Sequence, residues 1–161
     1  MAIDNRHDIR VLNGLYVSLL DNAAGYRQAV EASPDGGHRA HYEAREAERR
    51  ALAGEIEQSI VALGGEADQG GSLLAKAQKA IKDVSHALRR DEAAAVGDVD
   101  NGETALLSRF DTALADGDLA ATTRETVRRA RERVARGHDD MASLRHSLEG
   151  QRDASSDLYP N

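Results

Sequence analysis

Apolar residues recur every three or four positions along most of this chain, the period of a helix that turns one face to a core. The first such stripe is Leu12, Leu15, Leu19, Ala23, Tyr26 and Val30, and it predicts a helix over Asp8 to Ala32. Ser33-Pro34-Asp35-Gly36-Gly37 then breaks the pattern with a dense run of turn formers. A second helix is predicted over His38 to Leu63, with Leu52, Ile56, Ile60 and Leu63 as its apolar half. Gly64-Gly65 supplies the residue that a left-handed C-terminal cap requires. After a polar, Gly-rich stretch to Gly71, Ser72 can cap a shorter helix to Leu88, with Leu74, Ala77, Ile81, Val84 and Leu88 along one side. A further long helix is predicted over Asp91 to Ala115. Its stripe is Glu92, Val96, Val99, Glu103, Leu107, Phe110 and Leu114. Asp116-Gly117-Asp118 turns the chain into a last helix that ends near Glu149, with Val127, Val134, Met141, Leu144 and Leu148 facing inward.

Four long helices and one short one predict an all-α bundle forming a single domain over 1–149, followed by a flexible polar tail over 150–161. At 1.5 Å per residue the short helix spans roughly 25 Å, enough to carry the chain from one end of a bundle to the other. Val and Ile are scattered singly, so no sheet is expected. Composition agrees: aromatics are 3% and prolines number two in 161 residues, while good helix formers are abundant. Cysteine is absent, which removes disulfides and thiolate metal sites and suits a reducing, cytoplasmic setting. The start of the chain is polar and no segment approaches a membrane span, so no membrane partner is expected.

Charge narrows the function classes. A net charge of −7 disfavours a nucleic-acid partner, which needs a basic field. The basic exception is local: Arg124, Arg128, Arg129, Arg131, Arg133 and Arg136 lie close together. The stretch before them, Asp91 to Asp118, carries eight acids and one base. A helical hairpin sets these two stretches side by side, so pairing within the chain is the expected use of the arginines.

Glu103 is the exceptional residue, an acid in the middle of an apolar stripe. A buried acid requires partners. Counting about 12 residues from the same end of each long helix gives them: Arg49 on the second helix, His138 on the last, and Asn22 on the first. The sequence therefore predicts one polar core layer of Asn22, Arg49, Glu103 and His138. In its structural form, Arg49 pairs with Glu103, and His138 and Tyr26 complete the hydrogen bonds. In its chemical form, the layer is a metal site. A di-metal carboxylate centre in a bundle needs a Glu from each of two helices and Glu-x-x-His from each of the others. That demand is unmet: Ala135 stands three residues before His138, Ala51 three after Glu48, and Asp21 points away from its stripe. The alternative is a single iron or other divalent metal held by Glu48, Glu103 and His138, giving an oxidase or iron-handling protein. Otherwise no cofactor and no catalytic residue is expected. His38 and His41, spaced i, i+3, lack a third ligand. Gly14, Gly25 and Gly54 interrupt helices where close helix approach would use them.

The motifs that carry a resemblance are Asp21-x-x-x-Gly25-Tyr26, Glu48-Arg49-x-x-Leu52 with Glu55-Ile56, Leu63-Gly64-Gly65, Gly102-Glu103 followed by Phe110, and His138. In this order and spacing, over residues 8 to 149, the chain resembles a bacterial ferritin-like four-helix-bundle family of unknown function. The resemblance implies a ferritin-like fold whose short helix is the long crossover between the second and third long helices. It implies no activity, and a stress-associated or housekeeping setting. Leu52 stands where the family pattern has an aromatic, and Asn22 where it has a glycine. The combined expectation is a non-catalytic, self-associating bundle, a homo-oligomer such as a dimer, acting as a binding or stress-associated module.

Overall fold

The computed structural model describes residues 4–33, 38–68 and 92–158, with side chains over 4–33, 38–68, 97–147 and 150. Among these residues the chain is all-helical. It forms α1 (Arg6–Ala32), α2 (Arg39–Ala62), α3 (Glu92–Ala115) and α4 (Ala121–Leu158). The crossover helix expected over 72–88 lies outside the described residues.

Cross-helix contacts fix the directions. His7 meets Asp116 and Tyr26 meets Glu103, so α1 and α3 are antiparallel. Arg45 meets Asp140 and Arg133 meets Glu55, so α2 and α4 are antiparallel too. α1 packs most extensively on α2, and α3 on α4. With α1 running up, α2 and α3 both run down, so the end of α2 and the start of α3 lie at opposite ends of the assembly.

The stripes explain which residues fill it. Every α1 residue expected inside is buried, and so are Leu52, Ile56 and Ile60 on α2. On α3 the line is shifted from the expected one: Val99, Glu103, Leu106, Phe110 and Ala113 are buried, while Leu107 and Leu114 are only half-buried. Both spacings satisfy a helical period, and only the position of α1 against α3 chooses between them. Val127, Ala130, Val134 and Met141 line α4. These residues form two apolar clusters. The larger one surrounds Leu12, Leu19, Ile56, Phe110 and Val134, and the smaller one holds Tyr26, Val30, Tyr42, Val99 and Met141. Asn22, Arg49 and Glu103, all buried, belong to neither cluster.

Polar contacts close the lower end. Gly64 has φ +85°, and the Gly65 N–H returns to the Ile60 carbonyl at 3.0 Å, so the predicted glycine cap ends α2. A Cβ on Gly65 would fall 2.9 Å from the Ile9 side chain, so this turn also needs glycine for its approach to α1. Buried Asp8 reaches from α1 to the start of α4, accepting from Thr123 Oγ1 at 2.6 Å and from the Ala120 N–H at 3.3 Å. A carboxylate is favoured there by the free N–H groups of a helix start. Arg124 donates to the carbonyls of Leu114 and Asp116 at 2.8 and 2.7 Å, satisfying the end of α3 in the same way.

One expectation is corrected. α4 does not stop near Glu149 but continues as helix to Leu158. A single Gly150 costs a helix only about 1 kcal/mol, and no proline intervenes before Pro160. The arginine-rich stretch pairs within the chain as expected, and among the described residues Arg131 forms its ion pair across the hairpin, with Asp111. Arg128 and Arg129 pair with Glu125 within α4, and Arg133 pairs with Glu55 on α2. A helix presents its arginines around its whole circumference, so most of them face away from α3.

Candidate functional site: the polar core layer

Arg49 and Glu103 are both 0% exposed and form a two-pronged pair. Arg49 Nη2 donates to Glu103 Oε2 at 2.9 Å, and Arg49 Nε donates to Glu103 Oε1 at 3.2 Å. The same Nε–H is shared with Asn22 Oδ1 at 3.1 Å. Tyr26, 1% exposed, donates its hydroxyl to Glu103 Oε1 at 2.7 Å. Burial, and then the negative charge of Glu103, push the Tyr26 hydroxyl pKa up, so it stays a donor. Both oxygens of the buried carboxylate are thus engaged, by a planar guanidinium that matches them and by a phenol.

The other side of Arg49 leads outward. Its Nη1 lies 3.3 Å from Glu48 Oε1, Glu48 Oε2 accepts from Arg45 at 2.5 Å, and Arg45 also meets Asp140. Charges therefore alternate in sign from the surface to the centre of the bundle. This matters because a buried ion pair is net favourable only when the remaining donors and acceptors are also satisfied.

His138 is placed differently from the expectation. Its side chain is 28% exposed, and its Nε2 hydrogen bonds with Thr104 Oγ1 at 3.2 Å, with Asp139 3.5 Å from its Nδ1. It lies level with the layer but to one side, and Tyr26 makes the bond to Glu103. The reason is helical phase. The buried line of α4 steps through 127, 130, 134 and 141, and the position on that line at this height is 137, not 138.

Gly137 is the residue that sequence reasoning missed. It is buried, and a Cβ there would sit 2.1 Å from Arg49 Nη2 and 3.5 Å from Glu103 Oε2. The guanidinium occupies the volume of the absent side chain. The signal was legible in principle: a glycine on the apolar line of an otherwise good helix, at the height of an unexplained acid. Gly14, Gly25 and Gly54, expected to permit close approach, have nothing within 4 Å of a built Cβ.

Ligand geometry bears on the metal alternative. Among the described residues, the group of three ligating side chains with donor atoms within 4.8 Å of one another is His7, Asp116 and Asp118, at the lower end. Glu48, Glu103 and His138 do not gather in this way, and a cation at Glu103 must displace Arg49. His38 and His41 lie at the upper end of α2. The His41 imidazole has its pKa lowered by burial and by the nearby charges of Arg45 and His38, which also disfavour a cation.

Among the described residues, the layer borders a cavity on its α1–α3 side. A cavity of about 410 Å³ lies between α1 and α3, reaching Asn22 and Tyr26, with Asp21, Asp98 and Arg109 around it and Gly25 and Gly102 in its walls. Asp21, which pattern reasoning set aside, belongs to this groove.

The model of a family described as a domain of unknown function (DUF2383) matches residues 7–116, a span that includes α2, α3 and all of α1 but its first residue. No curated protein matches the chain.

Proposed function

The chain belongs to the DUF2383 family, a domain of unknown function, and from that premise we propose that it is a non-catalytic ferritin-like bundle. In this reading its central layer is an arginine–glutamate pair standing where bundles of this kind hold metal. One observation carries it: both oxygens of Glu103, itself fully buried, are occupied by Arg49 and Tyr26. The up-down-down-up order of the described helices suits the long crossover of a ferritin-like fold. The role of such a layer is register. Apolar contacts alone let one helix slide along another at modest cost. A charge pair matched between α2 and α3 does not, because displacement leaves a buried charge alone.

Metal analysis and a double-mutant cycle test this together. Protein purified without chelator should carry far less than one iron per chain. Glu103→Ala should destabilise by about 3 kcal/mol, because Arg49 is left buried and unpaired, whereas Arg49→Met with Glu103→Leu should cost much less. About two tightly held irons per chain, or equal losses from the single and double changes, would sink the reading. Its rival, an iron-handling protein using Glu48, Glu103 and His138, requires that Glu103→Ala abolish metal content and ferrous-dependent oxygen uptake.

A further inference from the structure

The lower end of the bundle holds a side-chain cluster that neither the core nor the polar layer uses. His7, in the first turn of α1, meets the turn between α3 and α4 at Asp116 and Asp118. His7 Nε2 and Asp116 Oδ2 are 2.8 Å apart. Asp116 Oδ1 accepts from the Asp118 N–H at 2.9 Å, which fixes the orientation of that carboxylate. The Asp118 N–H, and then His7, hold the Asp116 carboxyl below its usual pKa, so it is ionised. The Asp118 carboxylate is exposed and has no ion-pair partner among the described residues. One donor atom from each of the three side chains nevertheless lies within 4.8 Å of the other two.

Neighbouring ligands of a four- or six-coordinate ion at about 2.1 Å stand roughly 3.0–3.4 Å apart. His7 and Asp116 are already near that spacing, and Asp118 can close about 1 Å by a rotamer change on its exposed side. We propose that His7, Asp116 and Asp118 bind a divalent transition-metal ion of the zinc class, which ties the start of α1 to the α3–α4 turn. The ion replaces the proton between Nε2 and Oδ2. That proton moves to Nδ1 from a neutral imidazole, or to solvent from a cationic one. One imidazole and two carboxylates suit zinc better than magnesium or calcium, which take six or more oxygens. Three protein ligands leave a coordination position for water. Arg124 is the nearby cation and limits the affinity, although its Nη1 and Nη2 are turned to the carbonyls of Leu114 and Asp116. The site lies about 20 Å along α3 from Glu103, so the proposal stands whether Glu103 holds an arginine or a metal.

The test is calorimetric titration of the full chain with zinc chloride in a non-chelating buffer, and in parallel with magnesium chloride. The expected result is one saturable zinc site per chain, with a dissociation constant on the order of 100 μM, and binding of magnesium at least about tenfold weaker. His7→Gln keeps a donor to Asp116 but removes the imidazole lone pair. Asp118→Asn changes an exposed carboxylate and leaves the fold untouched. Each should weaken zinc binding about tenfold, whereas His38→Gln, in the other close pair of histidines, should leave it unchanged. Only the folded chain presents the three ligands together, so 1 mM zinc should raise the melting temperature by about 4 °C, and by much less in His7→Gln. Absence of a saturable site, undiminished binding in either ligand variant, loss of binding in His38→Gln, or equal affinity for magnesium would each overturn the proposal.

Discussion

Arg49 shows how a single side chain can be both costly and well tolerated. Its guanidinium is fully buried, and its neighbours Glu103, Asn22 and Glu48 supply acceptors on three sides. Tyr26 completes the set from the acid's side. Tyr26→Phe removes one hydrogen bond to an ionised group and should destabilise by about 2 kcal/mol in chemical denaturation. The same residue gives an alkaline signature. Its folded pKa is raised above the unfolded value of 10.0, so the folded state keeps a proton that the unfolded chain loses. The associated stability is intact below about pH 10 and falls as pH rises beyond it. Denaturation midpoints measured from pH 9 to 11 should fall less steeply in Tyr26→Phe. Tyr16, also raised by burial, keeps part of the slope.

Between helices, glycines with the same helical surroundings have opposite meanings. At Gly25 and Gly54 a Cβ meets nothing, so Gly25→Ala and Gly54→Ala should each stabilise by about 0.5–1 kcal/mol, the ordinary helix-propensity gain. Gly137→Ala should reverse the sign and lose about 2 kcal/mol or more, because the new methyl collides with Arg49 Nη2. Thermal melts of the three variants check this directly. If Gly137→Ala melts above the parent protein, the guanidinium does not sit against α4. Cross-helix ion pairs divide similarly. Arg133 with Glu55 is half-exposed, whereas Arg49 with Glu103 is enclosed. Raising salt from 0.1 to 1 M should take the Arg133–Glu55 coupling in a double-mutant cycle toward zero and leave the Arg49–Glu103 coupling nearly unchanged.

Across the whole molecule, apolar period and chain direction together fixed most of what the sequence determined by itself: the all-helical class, the α1 and α2 core lines, the glycine cap after α2, and the common height of Asn22, Arg49, Glu103 and His138. These are legible because a helix repeats every 3.6 residues and rises a constant 1.5 Å, so position along the chain converts to face and height. Azimuth is less certain by the same arithmetic. A one-residue step turns a side chain by about 100°, which separates Leu106 from Leu107 on α3 and Gly137 from His138 on α4. Only the packing of one helix against another decided those choices. It placed the guanidinium in the space that Gly137 leaves, and it left Glu103 with the expected Tyr26 phenol while setting the His138 imidazole to one side, on Thr104. It also opened the groove beside them, because a pocket is volume that neighbouring helices leave unfilled, and no single helix's sequence contains that volume.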